Sequence, residues 1–316
     1  MRGMVMGHEV SGYIDQAGEG VNLGEYGLKQ GDPVVVYPWV ACSKCKICKA
    51  GHSNVCTTPN GHSYNSGCGP NADGGYQTHM MVLPHALLKV PDKVPMDVAC
   101  MLPCSAGTAY SALKKLEDAV YFGNLRSGKA RLLIIGAGGL GLWAIQIAKA
   151  LYPQIHLIVA DISESKFPLA KTYGADETIL WKISADPSDN AEAILENGGA
   201  DAVADFCGNG PTATTALKCL SPNGALVVVG LGGGSSNVDL RGLIYSSLSI
   251  GGNCTLTFEH LSQVMSLVAQ GKVKYPGCIY FQFEQLNEAL AKLKKGEMKG
   301  RGIIDFNGNL KNNNSV

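Results

Sequence analysis

Arg131-Leu-Leu-Ile-Ile135 runs straight into Gly136-Ala-Gly-Gly-Leu-Gly141, and the fold of the chain turns on how this stretch is read. The glycines fit the spacing G-x-G-x-x-G, which is a weak signal alone because 40 of the 316 residues are glycine. Context strengthens it. The apolar run before the loop reads as a buried strand. Leu140, Ala144, Ile147, Ala148 and Leu151 after it form a helical stripe that Pro153 stops. Asp161 then ends the next apolar run about twenty residues beyond Gly141, as the dinucleotide-binding fingerprint expects. Gly136 permits the tight turn, Gly138 lets the backbone approach a pyrophosphate, and Gly141 lets helix and strand pack closely. Gly139 and Leu140 open the helix, whose N-terminus supplies amides and a positive dipole end. Asp161 would accept hydrogen bonds from the adenosine ribose and repel a 2'-phosphate, which favours NAD over NADP. The competing reading is a plain glycine turn with Asp161 as a surface acid.

Working outward, further short apolar runs at Ile155–Ala160, Asp201–Phe206, Ala225–Val229 and Leu248–Gly251 alternate with amphipathic segments. Such alternation predicts an α/β fold with a doubly wound parallel sheet. A helix near Ser105–Leu116 leads into it. Upstream, Glu9–Ile14 and Pro33–Tyr37 alternate with glycine turns in a β pattern, and Cys42–Cys68 reads as loop. Beyond Tyr275 the pattern gives a short apolar stretch, a helix near Gln285–Lys295, a strand at Gly302–Phe306 and a frayed polar tail at Asn309–Val316.

Composition narrows the function classes. Lys plus Arg number 26 and Asp plus Glu number 26, so net charge is zero, which disfavours nucleic acid and anionic membrane as partners. Hydrophobic residues at 46% against 16% charged indicate a globular chain. No apolar run approaches the roughly 18 residues of a membrane span, and no secretory h-region follows Met1; a cytoplasmic protein is expected.

Cys42, Cys45, Cys48 and Cys56 stand close enough to converge on one tetrahedral ion. Four thiolates leave no open position on zinc, so the expected site is structural. Lys44, Lys46 and Lys49 between them would offset part of the charge. An Fe–S cluster or four free thiols are the alternatives. Cys68, Cys100, Cys207, Cys219, Cys254 and Cys278 are scattered singly and read as buried small hydrophobes. His8-Glu9 and Cys104 offer a second set of zinc ligands, but on residues alone a packed histidine and a buried thiol is the better reading.

With these motifs in hand, the sequence resembles the zinc-dependent alcohol dehydrogenases of the medium-chain dehydrogenase/reductase family. Gly7-His8-Glu9-x2-Gly is similar to the family's catalytic-zinc motif and the four-cysteine loop to its structural-zinc lobe. Asp73-Gly-Gly-Tyr76, Pro103-Cys-Ser-Ala-Gly-Thr-Ala-Tyr110 and Lys299-Gly-Arg-Gly302 match further landmarks in order. The resemblance implies a GroES-like β-rich catalytic domain at 1–106 with a zinc lobe at 42–56. A Rossmann NAD-binding domain at 107–273 and a C-terminal segment at 274–316 completing the first domain follow from it. It implies catalytic-zinc ligands at His8 and Cys104, with Glu9 as an adjacent or exchangeable ligand. Thr108 resembles the residue packing on the nicotinamide, Lys166 the one beside the adenosine ribose, and Arg301 the pyrophosphate contact. Val229, Gly230 and Leu231 resemble the backbone that meets the nicotinamide amide. The implied activity is hydride transfer between an alcohol or carbonyl substrate and NAD, in a homodimer or homotetramer built through the Rossmann sheet edge.

One departure sets a second expectation. The family pattern carries, ahead of the histidine motif, a stretch with another cysteine ligand and the hydroxyl that starts a proton relay, and no cysteine precedes Cys42 here. A truncated or non-catalytic NAD- and zinc-binding form of the same family is therefore the alternative to an active dehydrogenase. A zinc-independent quinone or enoyl reductase is a third reading, against which the cysteine loop and His8-Glu9 argue.

Overall fold

The computed structural model describes residues 3–57, 62–63, 72–183, 186–274, 277–298, 300–306 and 308. Cys68, Lys299, Tyr275 and the tail 309–316 lie outside the described residues. The chain divides into two compact units, Met1–Gly107 with Thr257–Val316, and Thr108–Leu256.

In the first unit β1 (Ser11–Tyr13) pairs antiparallel with β2 (Pro33–Val36), placing Ser11 opposite Val35. β3 (Trp39–Val40) and β4 (His62–Ser63) form a second antiparallel ladder, and β5 (Leu87–Lys89) adds to the free side of β2. Ile14, Leu28 and Val34 close a small core between these strands, with Leu23 and Leu87 against it. The cysteine segment is not all loop. A helical turn, α1 (Lys46–Lys49), forms there because the Cys45 side chain accepts the Cys48 N–H and caps it. After α2 (Met96–Ala99) the chain makes a π-helical turn, Leu102–Ala106, in which the Ala106 N–H donates to the Met101 carbonyl at 3.2 Å.

The second unit opens with the remainder of α3 (Gly107–Lys114), followed by α4 (Glu117–Ser127). The hydrophobic pattern does not reveal α4, because Ala119 and Val120 are buried while Tyr121, Phe122 and Leu125 are exposed. Apolar residues on both faces erase the period that marks an amphipathic helix. The rest runs β6 (Arg131–Ile135), α5 (Gly139–Leu151), β7 (His156–Asp161), α6 (Phe167–Thr172), β8 (Glu177–Leu180) and α7 (Pro187–Leu195). It continues β9 (Ala200–Asp205), α8 (Gly210–Lys218), β10 (Leu220–Val228), α9 (Leu240–Tyr245) and β11 (Ser249–Gly252). The strands form one parallel sheet in the order β11-β10-β9-β6-β7-β8, two βαβαβ halves meeting between β6 and β9. Five of these strands are the apolar runs of the sequence. The sixth, β8, is a half-exposed edge strand reading Glu-Thr-Ile-Leu, whose first two residues break the run. Helix α5 exceeds its predicted stripe: Gly141–Ala148 are all buried, consistent with a segment that is apolar all round.

The chain then returns to the first unit. α10 (Phe258–Ala269), within the span 107–273 marked out by the sequence, groups there, and Phe258 meets the Tyr37 ring edge-on at 5.5 Å between centroids. β12 (Cys278–Gln282) and β13 (Arg301–Asp305), joined through α11 (Leu286–Lys294), pair in parallel with Cys278 beside Arg301. Among the described residues no helix is long and apolar enough to cross a membrane.

The single cysteines divide. Cys219 is buried, and Cys100, Cys207 and Cys278 are part-buried. Cys254 corrects the expectation: it is exposed, because it stands in the turn after edge strand β11 and not in a packed layer.

Asp201, 2% exposed, joins α4 to the sheet by an ion pair with Arg126 and by accepting the Arg131 N–H at 2.7 Å. Asp201→Ala leaves both donors without their acceptor. The expected loss is about 2 kcal/mol, read from the midpoint of chemical denaturation, and an unchanged midpoint would show the pair to be idle.

Candidate metal and dinucleotide sites

Four thiols meet in the first unit. Cys42, Cys45, Cys48 and Cys56 bring their sulfurs within 4.8 Å of one another. The loop folds so that its own amides serve them: Lys44 and Cys45 donate N–H to Cys42 Sγ at 3.4 and 3.3 Å, and Cys48 donates to Cys45 Sγ at 3.4 Å. Ser43 takes a positive φ of 55° to make the turn. Burial first, then the neighbouring thiols, push Cys48 up to about 12. Sulfurs this crowded ionise only if a cation balances them. Lys44, Lys46 and Lys49 are exposed.

A second cluster in the same unit draws on distant parts of the chain. His8, Glu9 and Cys104 place one ligand atom each within 4.8 Å of one another, and His8 Nε2 lies 3.2 Å from Cys104 Sγ. The π-helical turn presents Cys104; such turns, with one residue too many for an α-helix, recur at functional sites. The segment bearing His8 is zipped to the Asp-Gly-Gly-Tyr motif, with Gly74, Gly75 and Tyr76 donating N–H to Val5, Gly7 and Met6 carbonyls at 2.7, 2.7 and 2.8 Å. A side chain on Gly74 would strike the Gly7 carbonyl, which gives that motif glycine a mechanical reason. Burial lowers the His8 pKa, the Glu9 carboxylate opposes that shift, and Arg301 adds to it. Arg301, expected at a pyrophosphate, forms an ion pair with Glu9 in this structure.

In the second unit the glycine turn behaves as its spacing predicts. A side chain on Gly141 would collide with the Gly136 carbonyl, so strand end and helix start can approach only with glycine there. Gly138, the N-cap of α5, has no side-chain cap and open space on its Cα. Asp161, 5% exposed, accepts the Ala137 N–H at 2.7 Å and the Ser163 N–H at 3.0 Å, and Lys166 Nζ reaches both its oxygens at 3.1 and 3.0 Å. Val229 and Gly230 both donate N–H to the Asp205 carbonyl, at 2.9 and 3.1 Å, while Leu231 is 95% exposed. Thr108 is 5% exposed, and its hydroxyl has no hydrogen-bond partner among the described residues.

Comparison with known proteins agrees with this geometry. Residues 1–92 match the alcohol dehydrogenase GroES-like domain and residues 139–270 the zinc-binding dehydrogenase domain. An NAD-dependent alcohol dehydrogenase of Sulfolobus acidocaldarius is 31% identical over 303 residues, 95% of this chain and 81% of that protein. The chain belongs to the zinc-type medium-chain alcohol dehydrogenases. An alcohol dehydrogenase of Geobacillus stearothermophilus is 30% identical over 305 residues, covering 95% of this chain and 82% of that one. The solved structure of acetophenone reductase from Geotrichum candidum in complex with NAD has a TM-score of 0.79 at 32% identity, over 96% of this chain and 82% of that one. The alcohol dehydrogenase of Aeropyrum pernix gives 0.79 at 30% identity, over 95% and 82%.

Zinc and NAD are the cofactors of this zinc-type dehydrogenase, and the residues present fit both. A thiol set with amides aimed at its sulfurs suits a closed tetrahedral zinc, and a mixed nitrogen, oxygen and sulfur set with a neutral imidazole suits a second ion. The open face of Gly138, the uncapped start of α5 and the orphaned Thr108 hydroxyl fit a dinucleotide. Sequence reasoning missed the Glu9–Arg301 pair, since 292 residues separate the partners and nothing local signals it. In zinc-loaded protein, Cys45→Ser should lower the metal content by one equivalent per chain on elemental analysis. An unchanged content would remove the cysteine cluster from consideration as a metal site.

Proposed function

We propose that the chain oxidises an alcohol, or reduces the corresponding carbonyl, by hydride exchange with NAD, with the reacting oxygen bound at His8, Glu9 and Cys104. The observation that carries this reading is the meeting of His8 Nε2 and Cys104 Sγ at 3.2 Å from positions 96 apart in sequence. Bound there, zinc supplies Lewis-acid polarisation of a substrate oxygen, and NAD supplies the hydride acceptor. His8 is kept neutral by burial, the form in which imidazole offers a lone pair. Glu9 is held by Arg301, which restrains the carboxylate beside the histidine and offsets its charge. Asp161 and Lys166 together form the ribose end of the proposed cofactor site, the carboxylate buried and oriented by the Ala137 and Ser163 amides. The first unit thus handles substrate and metal and the second handles the dinucleotide.

The same reading makes the protein a homo-oligomer. Among the described residues β11 pairs with β10 alone and is exposed along its whole length, so its outer edge, apart from the Gly252 carbonyl that accepts Lys115 Nζ, is open to pairing with a second copy. Ile250 at 43% exposure, and Leu240, Ile244 and Tyr245 on α9 at 66, 72 and 85%, give that edge an apolar flank.

Turnover of NAD with a panel of primary, secondary and benzylic alcohols tests the activity. Cys104→Ser should lower kcat/KM by at least about a hundredfold while leaving NAD binding in place; equal turnover by parent and variant would overturn the assignment of the reacting site. Light scattering tests the assembly: Ile250→Glu should reduce the solution mass to that of one chain, and an unchanged multimer would place the interface elsewhere.

A further inference from the structure

Asn253, one residue past β11, ties together segments from both ends of the second unit. Its backbone N–H donates to the Val228 carbonyl at 2.9 Å, extending the β10–β11 ladder to the point where Val229–Leu231 begin. Its side-chain Nδ2 donates to the Thr108 carbonyl at 3.3 Å and to the Thr255 carbonyl at 2.9 Å, while Oδ1 accepts the Ser111 hydroxyl at 3.0 Å. Thr255 sits at a φ of 47°, a left-handed conformation that a β-branched residue adopts only when its surroundings impose it. The Asn253 amide bridges that strained turn. Thr108, which it holds by the backbone, keeps a hydroxyl that is buried and unpaired among the described residues, and buried polar atoms in native proteins find partners almost without exception.

We infer that Asn253 is a positioning residue for the nicotinamide end of NAD: it fixes Thr108 and Val229–Leu231 in one relation, leaving the Thr108 hydroxyl free for the cofactor. This rests on the reading that Thr108 and Val229–Leu231 meet the nicotinamide. The chemistry calls for asparagine. Two N–H donors and one acceptor on a single planar group serve two carbonyls and a hydroxyl at once. Aspartate, equal in shape, would set a carboxylate against two carbonyl oxygens, and serine, with a single O–H to donate, could serve only one of the two carbonyls. Lys115 Nζ donates to the Gly252 carbonyl at 2.7 Å, next to Asn253 in the chain.

The test separates positioning from plain stability by using two ligands. ADP-ribose carries the adenosine, both phosphates and the second ribose of NAD but no nicotinamide. Calorimetric titration of the full chain should show Asn253→Asp and Asn253→Ser weakening NAD about tenfold, the worth of one good hydrogen bond, with ADP-ribose changed less than about twofold. In a Thr108→Val background, Asn253→Ser should cost NAD binding less than it does in the parent, because the group it positions is gone. Where the aspartate variant does not fold, Ser111→Ala loosens the same clamp and should weaken NAD about threefold with ADP-ribose unchanged. Equal losses for both ligands would reduce Asn253 to a structural role, and no loss for either would overturn the inference. A parent that binds ADP-ribose but gains nothing from the nicotinamide would remove the reading beneath it as well.

Discussion

Asp161 and Asp205 end the two strands that flank β6, and the loops of the second unit hang from these two buried carboxylates. Asp205 is fully buried and accepts the Cys207 and Gly208 N–H groups, both at 2.9 Å, and the Thr212 hydroxyl at 2.6 Å. Burial pushes its pKa up, although each of those bonds favours the charged form. A carboxylate in that position is tolerated only while its acceptor sites are filled. The demand therefore dictates the loop: Gly208 takes a φ of 62° and passes tightly against Gly230 to deliver its amide. Asp205's own carbonyl then receives Val229 and Gly230, so one residue sets the course of two loops at the carboxyl ends of the strands. Asp161 does the same for the glycine turn through Ala137. Ligands of open parallel sheets bind at those strand ends, and here the preorganisation of that surface comes from charge satisfaction as much as from helix dipoles.

The first unit solves a different problem, that of bringing soft and hard donors together. Its strands are short, and the segment bearing His8 lies ahead of β1 with Gly7 and His8 only part-buried. Backbone bonds hold it. The Asp-Gly-Gly-Tyr segment grips Val5–Gly7 with three amide bonds, and the Asp73 carboxylate accepts the Val5 N–H at 2.9 Å. β13 delivers Arg301 to Glu9 from the far end of the chain. Met101, which precedes the π-helical turn, and Leu102, which begins it, are fully buried, which gives Cys104 an anchored platform.

What could be read from the sequence follows the range of the interactions concerned. The strand–turn–helix at Arg131–Leu151 and the acid at Asp161 were legible because strand burial, glycine spacing and helix period all act within a few dozen residues. The cysteine cluster was legible for the same reason, although the turn α1 inside it was not, since its cap is the Cys45 sulfur and not one of the usual capping oxygens. β8 and α4 escaped because edge position and two-faced apolarity remove the periodic signal. Cys254 was misread because burial is a property of the turn it occupies, which composition does not encode. Asn253 and the Glu9–Arg301 pair carried no mark at all: polar residues reveal a partner only when the fold supplies one.

Range also separates the two clusters of candidate metal ligands. Cys42 through Cys56 close on themselves, and the Cys42 and Cys48 sulfurs, six positions apart, approach to 3.8 Å. The entropy of closing so short a loop is small, so an ion can gather these four thiols before the rest of the unit has formed. His8 and Cys104 are 96 positions apart, and Arg301 reaches Glu9 across 292. That cluster draws on the His8 segment and the π-helical turn, and β13 reaches it through the Arg301–Glu9 pair, so it depends on contacts between parts of the chain far apart in sequence. Metal at the cysteine lobe can thus help to build the fold, whereas the His8, Glu9 and Cys104 donors come together only as the fold closes contacts of long range.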